Sequence, residues 1–151
     1  MTYAENKDVD AALPSKQVVD LDKASVIFFD GVCNLCNWIV DFLIRRDKKR
    51  VLRYAPLQGT SAKQLLKPEL FEALPSVVFL DKNGAYQRSA AVIRAASKLG
   101  GLWSLFIVFL IIPRPVRDAI YNWIGRNRYR WFGKRDSCRL PTPEERTMFL
   151  E

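Results

Sequence analysis

Apolar residues occur along the chain as short continuous runs that alternate with amphipathic stretches, a pattern typical of an α/β domain. Residues 26–29 and 77–80 are such runs, and an aspartate directly follows each of them. Runs of this length predict strands that are buried on both faces of a sheet. Between them, residues 33–47 place apolar side chains on one helical stripe and end in a group of basic residues. This second pattern predicts an amphipathic helix whose C-terminal end is stabilised by cations.

The remaining patterns complete a β-α-β-α-β-β-α order. Asn83-Gly84 is a strong hairpin signal after the run 77–80, because both residues tolerate positive φ. Ser89 and Pro115 suit the beginnings of helices, as an N-cap and as a first helical residue. The further predicted elements are strands at 51–55 and 85–88 and helices at 61–67, 89–99 and 115–126. This order is that of the thioredoxin fold, a mixed four-stranded sheet flanked by helices, here with a helical C-terminal extension.

Length and composition indicate one globular domain. The chain has 151 residues, of which 49% are hydrophobic and 26% charged, and a domain of this size buries most of the surface that its unfolded chain exposes. Residues 1–24 are polar and acidic, so we predict a flexible N-terminal tail. The predicted domain covers 25–151 and includes a helical extension at 101–139 and a C-terminal tail. The N-terminal tail carries no apolar run typical of a targeting signal, and we expect a cytoplasmic protein.

The most apolar segment, residues 102–112, is too short to span a bilayer, for which about 20 apolar residues are needed. Two glycines precede it and Pro113 ends it. We expect a helix or strand that is buried in the core. The alternative is peripheral contact with a membrane through residues 102–117, which the neighbouring Arg114 and Arg117 favour.

The chain contains three cysteines and no histidine. The absence of an imidazole excludes Ser-His-Asp and Cys-His catalysis, HExxH zinc sites and covalent c-type haem attachment. Three cysteines are also too few for a closed zinc site or an iron–sulfur cluster, each of which normally takes four ligands. We therefore expect free thiols in a reducing compartment, with no bound cofactor and no metal.

Two of the cysteines form a CxxC motif, Cys33-Asn34-Leu35-Cys36, directly after a predicted buried strand and at the start of a predicted helix. Free backbone N–H groups and the helix dipole stabilise a thiolate at that position and lower its pKa. Cys33 is therefore the predicted nucleophile on a substrate disulfide, and Cys36 the thiol that resolves the mixed disulfide. The alternative is a pair of core cysteines one helical turn apart, since free cysteine is often buried.

Asp30 ends the first predicted strand, three residues before Cys33. Its carboxylate has two candidate roles. It can accept hydrogen bonds from the amides of Val32 or Cys33 in an Asx-turn and so shape the loop. Alternatively, a half-buried Asp30 can accept the proton of Cys36 during resolution, as a base with a raised pKa.

These residues give the sequence a resemblance to the DCC family of thiol-disulfide oxidoreductases, a branch of the thioredoxin-like superfamily named for its Asp and two Cys. The segments that carry the resemblance are 29–37, 54–58, 74–78, 126–133 and 136–141. The resemblance implies a protein-disulfide reductase that needs no cofactor beyond the cysteine pair. The implied partners are a disulfide-containing protein or small thiol as substrate and an external thiol or reductase for recycling.

The resemblance to thioredoxins further implies that Pro75, with Leu74 and Ser76 beside it, forms the groove in which a substrate peptide binds next to the first cysteine. In thioredoxins the corresponding proline is cis. The alternative is a trans proline that marks the start of a strand.

The third cysteine, Cys138, lies outside the CxxC motif. Cys138 is either a third exchanging thiol or, as we expect, a cysteine packed beneath the C-terminal turn.

The net charge is +8, and basic residues are concentrated in 45–53 and in 114–139, where aromatic residues are interleaved. The alternative function is therefore a non-catalytic basic module for nucleic acid, an anionic membrane surface or a protein partner. Nucleic acid is not the partner we expect.

Overall fold

The structure, a computed structural model, describes residues 20–57, 59–66, 77–137 and 140–150. The predicted tail 1–24 falls mostly outside these ranges and stays a prediction. Within them, the chain forms four strands, four α-helices and two 3₁₀ helices. The elements are β1 (Ser25–Phe29), α1 (Asn34–Arg46), β2 (Leu52–Pro56), α2 (Thr60–Leu65), β3 (Val78–Asp81), β4 (Gly84–Gln87), α3 (Arg88–Ser97), a 3₁₀ helix (Gly101–Ile111), α4 (Arg114–Phe132) and a short 3₁₀ helix (Arg146–Met148).

The four strands form one mixed sheet in the order β2-β1-β3-β4. β1 runs parallel to β2, with Ile27 opposite Tyr54, and antiparallel to β3, with Ile27 opposite Phe79. β3 and β4 form the predicted hairpin, in which Asp81 is paired with Gly84 across the turn. The mixed four-stranded sheet with flanking helices confirms the predicted α/β fold, which is consistent with a thioredoxin-like architecture.

The sheet is buried on both faces, as the continuous apolar runs predict. Successive side chains of a strand point to opposite faces, so Ile27 and Phe29 pack in one core cluster with α1 and α3, while Val26 and Phe28 pack in the other. The other cluster includes Ala62 of α2. Because β1 lies between β2 and β3, its C-terminal end places Asp30, the first residue of the loop to α1, in the interior of the protein.

The expectation that residues 102–112 are buried in the core is wrong. The 3₁₀ helix Gly101–Ile111 has no buried residue, and Leu102 and Ile111 are each 82% exposed. The reason is that α1 and α3 already cover the face of the sheet that carries Ile27 and Phe29. The segment therefore packs on the outer side of α3, and only part of its surface contacts the rest of the protein. Trp103 contacts α1, with its ring centroid 5.3 Å from that of Phe42.

Helix α4 extends six residues beyond the predicted end at Arg126, to Phe132. It contacts both α1 and α3. The added turns matter for the site, because they carry Arg128 and Tyr129 to the end of β1. Among the helices of the described ranges, none is long and apolar enough to cross a membrane.

Candidate active site

Cys33 is the N-cap residue of α1. Its backbone is extended (φ −84°, ψ 122°), and its Sγ accepts a hydrogen bond from the backbone N–H of Cys36 at 3.5 Å. A side-chain acceptor at this position satisfies one of the N–H groups that the first turn of a helix leaves unpaired. Both cysteines are free thiols and both are buried. The sulfur of Cys33 thus occupies the place at which a helix stabilises a negative charge.

The two thiols differ strongly in acidity. A hydrogen bond from the Cys36 thiol lowers the pKa of Cys33 to about 6, with further help from the Cys36 backbone N–H and the charge of Arg128 and against the effect of burial. The same hydrogen bond, together with burial and the charge of Cys33, raises the pKa of Cys36 far above its usual range. At neutral pH the pair therefore carries one proton, on Cys36, and Cys33 is a thiolate.

The rate at which Cys33 is alkylated by iodoacetamide is expected to rise with pH and reach half its maximum near pH 6, because only the thiolate reacts. Peptide-resolved mass spectrometry of the timed reaction measures the rate at Cys33 separately from the other thiols. Cys33 in the urea-unfolded chain is the control and should titrate near the usual pKa of about 8.5. A folded-state profile centred at the same pH as the unfolded control would contradict the lowered pKa.

Asp30 lies at the end of β1 and is 1% exposed, so it is fully buried rather than half-buried. Its Oδ1 accepts a hydrogen bond from the backbone N–H of Val32 at 3.2 Å, which is the predicted Asx-turn. Its Oδ2 accepts from the guanidinium of Arg128 at 3.2 Å and from the hydroxyl of Tyr129. The carboxylate therefore both shapes the CxxC loop and holds α4 against it. Its role as the proton acceptor of Cys36 stays a prediction.

Arg128 and Tyr129 are site residues to which the sequence alone assigned no role, although both lie in the segment 126–133 that resembles the DCC family and Arg128 belongs to the basic region 114–139. Arg128 is 8% exposed, and its charge lowers the pKa of both cysteines. The pKa of Tyr129 is raised by burial and by its hydrogen bond to Asp30, so the phenol stays protonated and donates. A buried aspartate needs a cationic or hydrogen-bonding partner. That requirement was the available signal, but it did not identify which of the many arginines supplies the charge.

Asn37 fixes the backbone of the CxxC loop from within α1. Its Nδ2 donates to the carbonyl oxygens of Gly31 and Cys33, each at 2.9 Å. The residue is 5% exposed, so these bonds are shielded from water. Together with Asp30, Asn37 holds the loop between β1 and α1 from both sides, which preorganises the position of Cys33.

The segment that follows α4 covers Cys33. Lys134 forms an antiparallel bridge with Cys33, and the backbone N–H of Arg135 donates to the carbonyl oxygen of Val32 at 2.7 Å. Gly133 has φ +85°, and a Cβ there would lie 2.9 Å from Nδ2 of Asn34, so only glycine fits without displacement. Cys33 has no exposed surface. A substrate sulfur therefore reaches Cys33 only when a neighbouring segment moves.

An apolar cavity of about 470 Å³ lies beside the second cysteine. Cys36, Tyr121 and Arg128 contribute to its wall, together with Trp123 and Trp131 of α4. The hydroxyl of Tyr121 accepts the backbone N–H of Val77 at 3.1 Å, which ties α4 to the start of β3. The cavity has room for an apolar group next to the dithiol.

The predicted groove residues Leu74, Pro75 and Ser76 lie outside the described residues, as does Cys138. The implied cis geometry of Pro75 and both roles considered for Cys138 stay predictions. Val77, which directly follows the predicted groove, is buried and lines the cavity beside Cys36.

Comparisons with known proteins agree with the family that the sequence resembles. Residues 27–134 match the sequence model of the DCC1-like thiol-disulfide oxidoreductase family. The chain is 42% identical over 127 residues to the uncharacterized protein YuxK of Bacillus subtilis (strain 168), which covers 83% of this chain and 93% of the relative. It is 34% identical over 135 residues to a DCC family protein of Arabidopsis thaliana that is named as chloroplastic, covering 87% and 78% of the two chains. No solved structure matches the chain.

Proposed function

The chain belongs to the DCC1-like thiol-disulfide oxidoreductase family, and from this premise we propose that it is a dithiol-disulfide oxidoreductase in which Cys33 and Cys36 exchange two electrons with a substrate disulfide. The observation that carries the proposal is the position of the two thiols at the start of α1, where Cys33 is the N-cap residue and its Sγ accepts a hydrogen bond from the backbone N–H of Cys36 at 3.5 Å. The pKa of Cys33 is lowered to about 6, and the pKa of Cys36 is raised. A thiolate is the species that attacks a disulfide.

In the first step, the Cys33 thiolate attacks one sulfur of the substrate disulfide. The S–S bond of the substrate breaks, a mixed disulfide with Cys33 forms, and one substrate thiolate leaves. Arg128, Asn37 and the first turn of α1 keep the attacking sulfur charged and in position. Because Cys33 is covered by the segment after α4, this step follows a local opening at Lys134.

Formation of the mixed disulfide changes the acidity of Cys36. The largest cause of its raised pKa is the hydrogen bond with Cys33, and the charge of Cys33 adds to it. Both effects diminish once Cys33 is bonded to substrate sulfur, while Arg128 still favours the Cys36 thiolate. We propose that Cys36 then loses its proton to Asp30, directly or through water, and attacks the sulfur of Cys33. The products are a Cys33–Cys36 disulfide and the second substrate thiolate.

The proposed substrates are a disulfide-containing protein or a small disulfide, with Leu74, Pro75 and Ser76 as the proposed groove for the substrate backbone. The cysteine pair is the only redox group in this scheme, so an external thiol or a reductase returns it to the dithiol. A reducing compartment such as the cytoplasm favours the reduced pair.

Reduced protein is expected to reduce a model protein disulfide, and a Cys33→Ser variant to work only at the background rate. Serine is a favoured N-cap residue, so this variant retains the cap of α1 while it loses the nucleophile. The measurement is the rate at which the disulfide-bonded substrate is converted to its reduced form under excess dithiothreitol, followed by mass spectrometry of quenched samples, with each protein's fold checked by circular dichroism.

The matched control is Cys138→Ser, which makes the same substitution at the cysteine outside the motif and should leave the rate unchanged. Wild-type activity no higher than that of Cys33→Ser would overturn the proposed function.

A further inference from the structure

The 3₁₀ helix Gly101–Ile111 presents apolar side chains to solvent on most of its circumference. Leu102 and Ile111 are each 82% exposed, and the exposed large apolar side chains between them are Leu105, Ile107, Val108 and Phe109. A helix that is apolar all round is normally buried in a core or in a membrane. Single exposed apolar residues are ordinary on a protein surface, whereas a continuous patch marks an interaction site.

Exposed apolar side chains also lie on α4, which follows the 3₁₀ helix in the sequence. Val116, Ile120 and Trp123 are 51%, 57% and 60% exposed, and their spacing of four and three residues places them on one face of that helix. We use the name apolar face for the 3₁₀ helix Gly101–Ile111 together with these three residues.

The sequence on both sides of the 3₁₀ helix is strongly basic, although the 3₁₀ helix itself carries no charged residue. Residues 82–135 contain one acidic residue, Asp118, and eleven basic residues. The basic residues are Lys82, Arg88, Arg94, Lys98, Arg114, Arg117, Arg126, Arg128, Arg130, Lys134 and Arg135. Asp118 is itself paired with Arg114 at 3.1 Å, and Arg128 is paired with Asp30. The positive charge that remains flanks the apolar face on α3 and α4, and Lys98, Arg126 and Arg130 are exposed.

We propose that the apolar face docks the protein on the surface of an anionic lipid bilayer, with the 3₁₀ helix inserted at the level of the headgroups. Apolar side chains that leave water contribute to binding in proportion to the area they bury. Basic residues near an anionic leaflet each add attraction that salt weakens. Reversible attachment takes both contributions, and here the 3₁₀ helix supplies apolar side chains while α4 beside it in the sequence supplies basic ones.

The charge argues against a second copy of the chain as the occupant. In a symmetric dimer the same patch meets itself, so two surfaces with the same large excess of positive charge would be brought together. Like charges placed opposite one another across an interface are unfavourable. An anionic bilayer supplies both an apolar layer and the opposite charge.

The test is co-sedimentation of the full-length protein with vesicles of phosphatidylglycerol mixed with phosphatidylcholine, and with vesicles of phosphatidylcholine alone. The wild type is expected to sediment with the anionic vesicles, to lose binding as salt rises, and to stay in solution with the neutral ones. A Leu102→Ser/Ile111→Ser variant should bind the anionic vesicles about tenfold more weakly or worse, because two apolar anchors are lost.

Leu140→Ser is the matched control. Leu140 is 85% exposed but lies on another part of the chain, so its loss should leave binding unchanged. The three substituted residues are exposed in the folded chain, and unfolding midpoints close to that of the wild type verify that folding is intact.

Three results would each overturn the proposal. They are absence of wild-type binding to anionic vesicles, equal binding of the double variant, and a lipid-free dimer that the double variant dissociates, as measured by light scattering. The outcome is independent of redox activity, since Cys33→Ser should bind the vesicles as the wild type does.

Discussion

A Cys36→Ser variant is expected to stop at the mixed disulfide, with one half of the substrate bonded to Cys33. Cys33 retains the N-cap position and a hydroxyl donor at residue 36, so it still attacks the substrate. No thiol remains one helical turn away to displace the bound half. Steady turnover therefore falls to the background, while the first half-reaction survives.

The stoichiometry of thiol release separates the two steps. With an aromatic disulfide whose thiolate absorbs light, the reduced wild-type pair should release two equivalents of thiolate per chain. Cys36→Ser should release one and keep the other as an adduct that intact-mass spectrometry detects and dithiothreitol removes. All proteins carry the Cys138→Ser substitution, so that the third cysteine adds nothing to the count. Cys33→Ser is the negative control, with no rapid release.

The same measurement detects the reverse assignment, in which Cys36 is the nucleophile and Cys33 the resolving thiol. If Cys33→Ser formed the adduct and Cys36→Ser did not, Cys36 would be the nucleophile, and the assignment based on the N-cap position would be wrong. Release of a single equivalent by the wild type, with the adduct retained, would instead mean that Cys36 does not resolve the mixed disulfide.

The local parts of the fold and the site were predictable because short stretches of sequence determine them. The apolar run before Asp30 predicts the central strand β1. The CxxC motif that follows the strand and begins an amphipathic helix predicts a cysteine at the helix N-terminus, where the structure has Cys33 as N-cap. Each inference needs only neighbouring residues and the periodicity of helices and strands.

The non-local parts were not predictable in the same way. Asp30 and Arg128 are 98 positions apart in the chain, and their contact depends on how α4 packs across α1. Many arginines of the basic C-terminal region would satisfy the charge of Asp30 equally well on sequence grounds. The apolar run at 102–112 misled for a related reason. Hydrophobicity indicates that a segment avoids water, but it does not indicate whether the faces of the sheet are already covered.

The pair between Arg128 and Asp30 is expected to dominate the stability of the site, and an Arg128→Met variant should lose about 3 kcal/mol or more of free energy of unfolding. The two side chains are 9% and 2% exposed, and their charged atoms are 3.2 Å apart. Removing one partner of a buried ion pair deprives the other charge of its counter-charge, which costs about 3–5 kcal/mol. Urea denaturation of the reduced proteins measures the loss.

Arg114→Met is the matched control, because Arg114 lies on the same helix and also forms an ion pair at 3.1 Å, but is 34% exposed. A partly solvated pair contributes about 0–1 kcal/mol, so this variant should lose much less. Equal losses from the two substitutions would contradict the argument that burial of the Asp30 pair determines its contribution.

An Arg128→Met/Asp30→Asn double variant separates the contribution of this ion pair to the free energy of unfolding from the effect of Arg128 on the pKa of the thiols. It removes both charges, so it should recover a substantial part of the stability that Arg128→Met loses. It should not restore the acidity of Cys33, because the charge of Arg128 contributes to the lowered pKa of that thiol. The alkylation midpoint of Cys33 should therefore lie above pH 6 in both variants. Full recovery of stability together with a midpoint still at pH 6 would mean that Arg128 serves only to neutralise Asp30, and that the N-terminus of α1 and the Cys36 thiol alone account for the reactive thiolate.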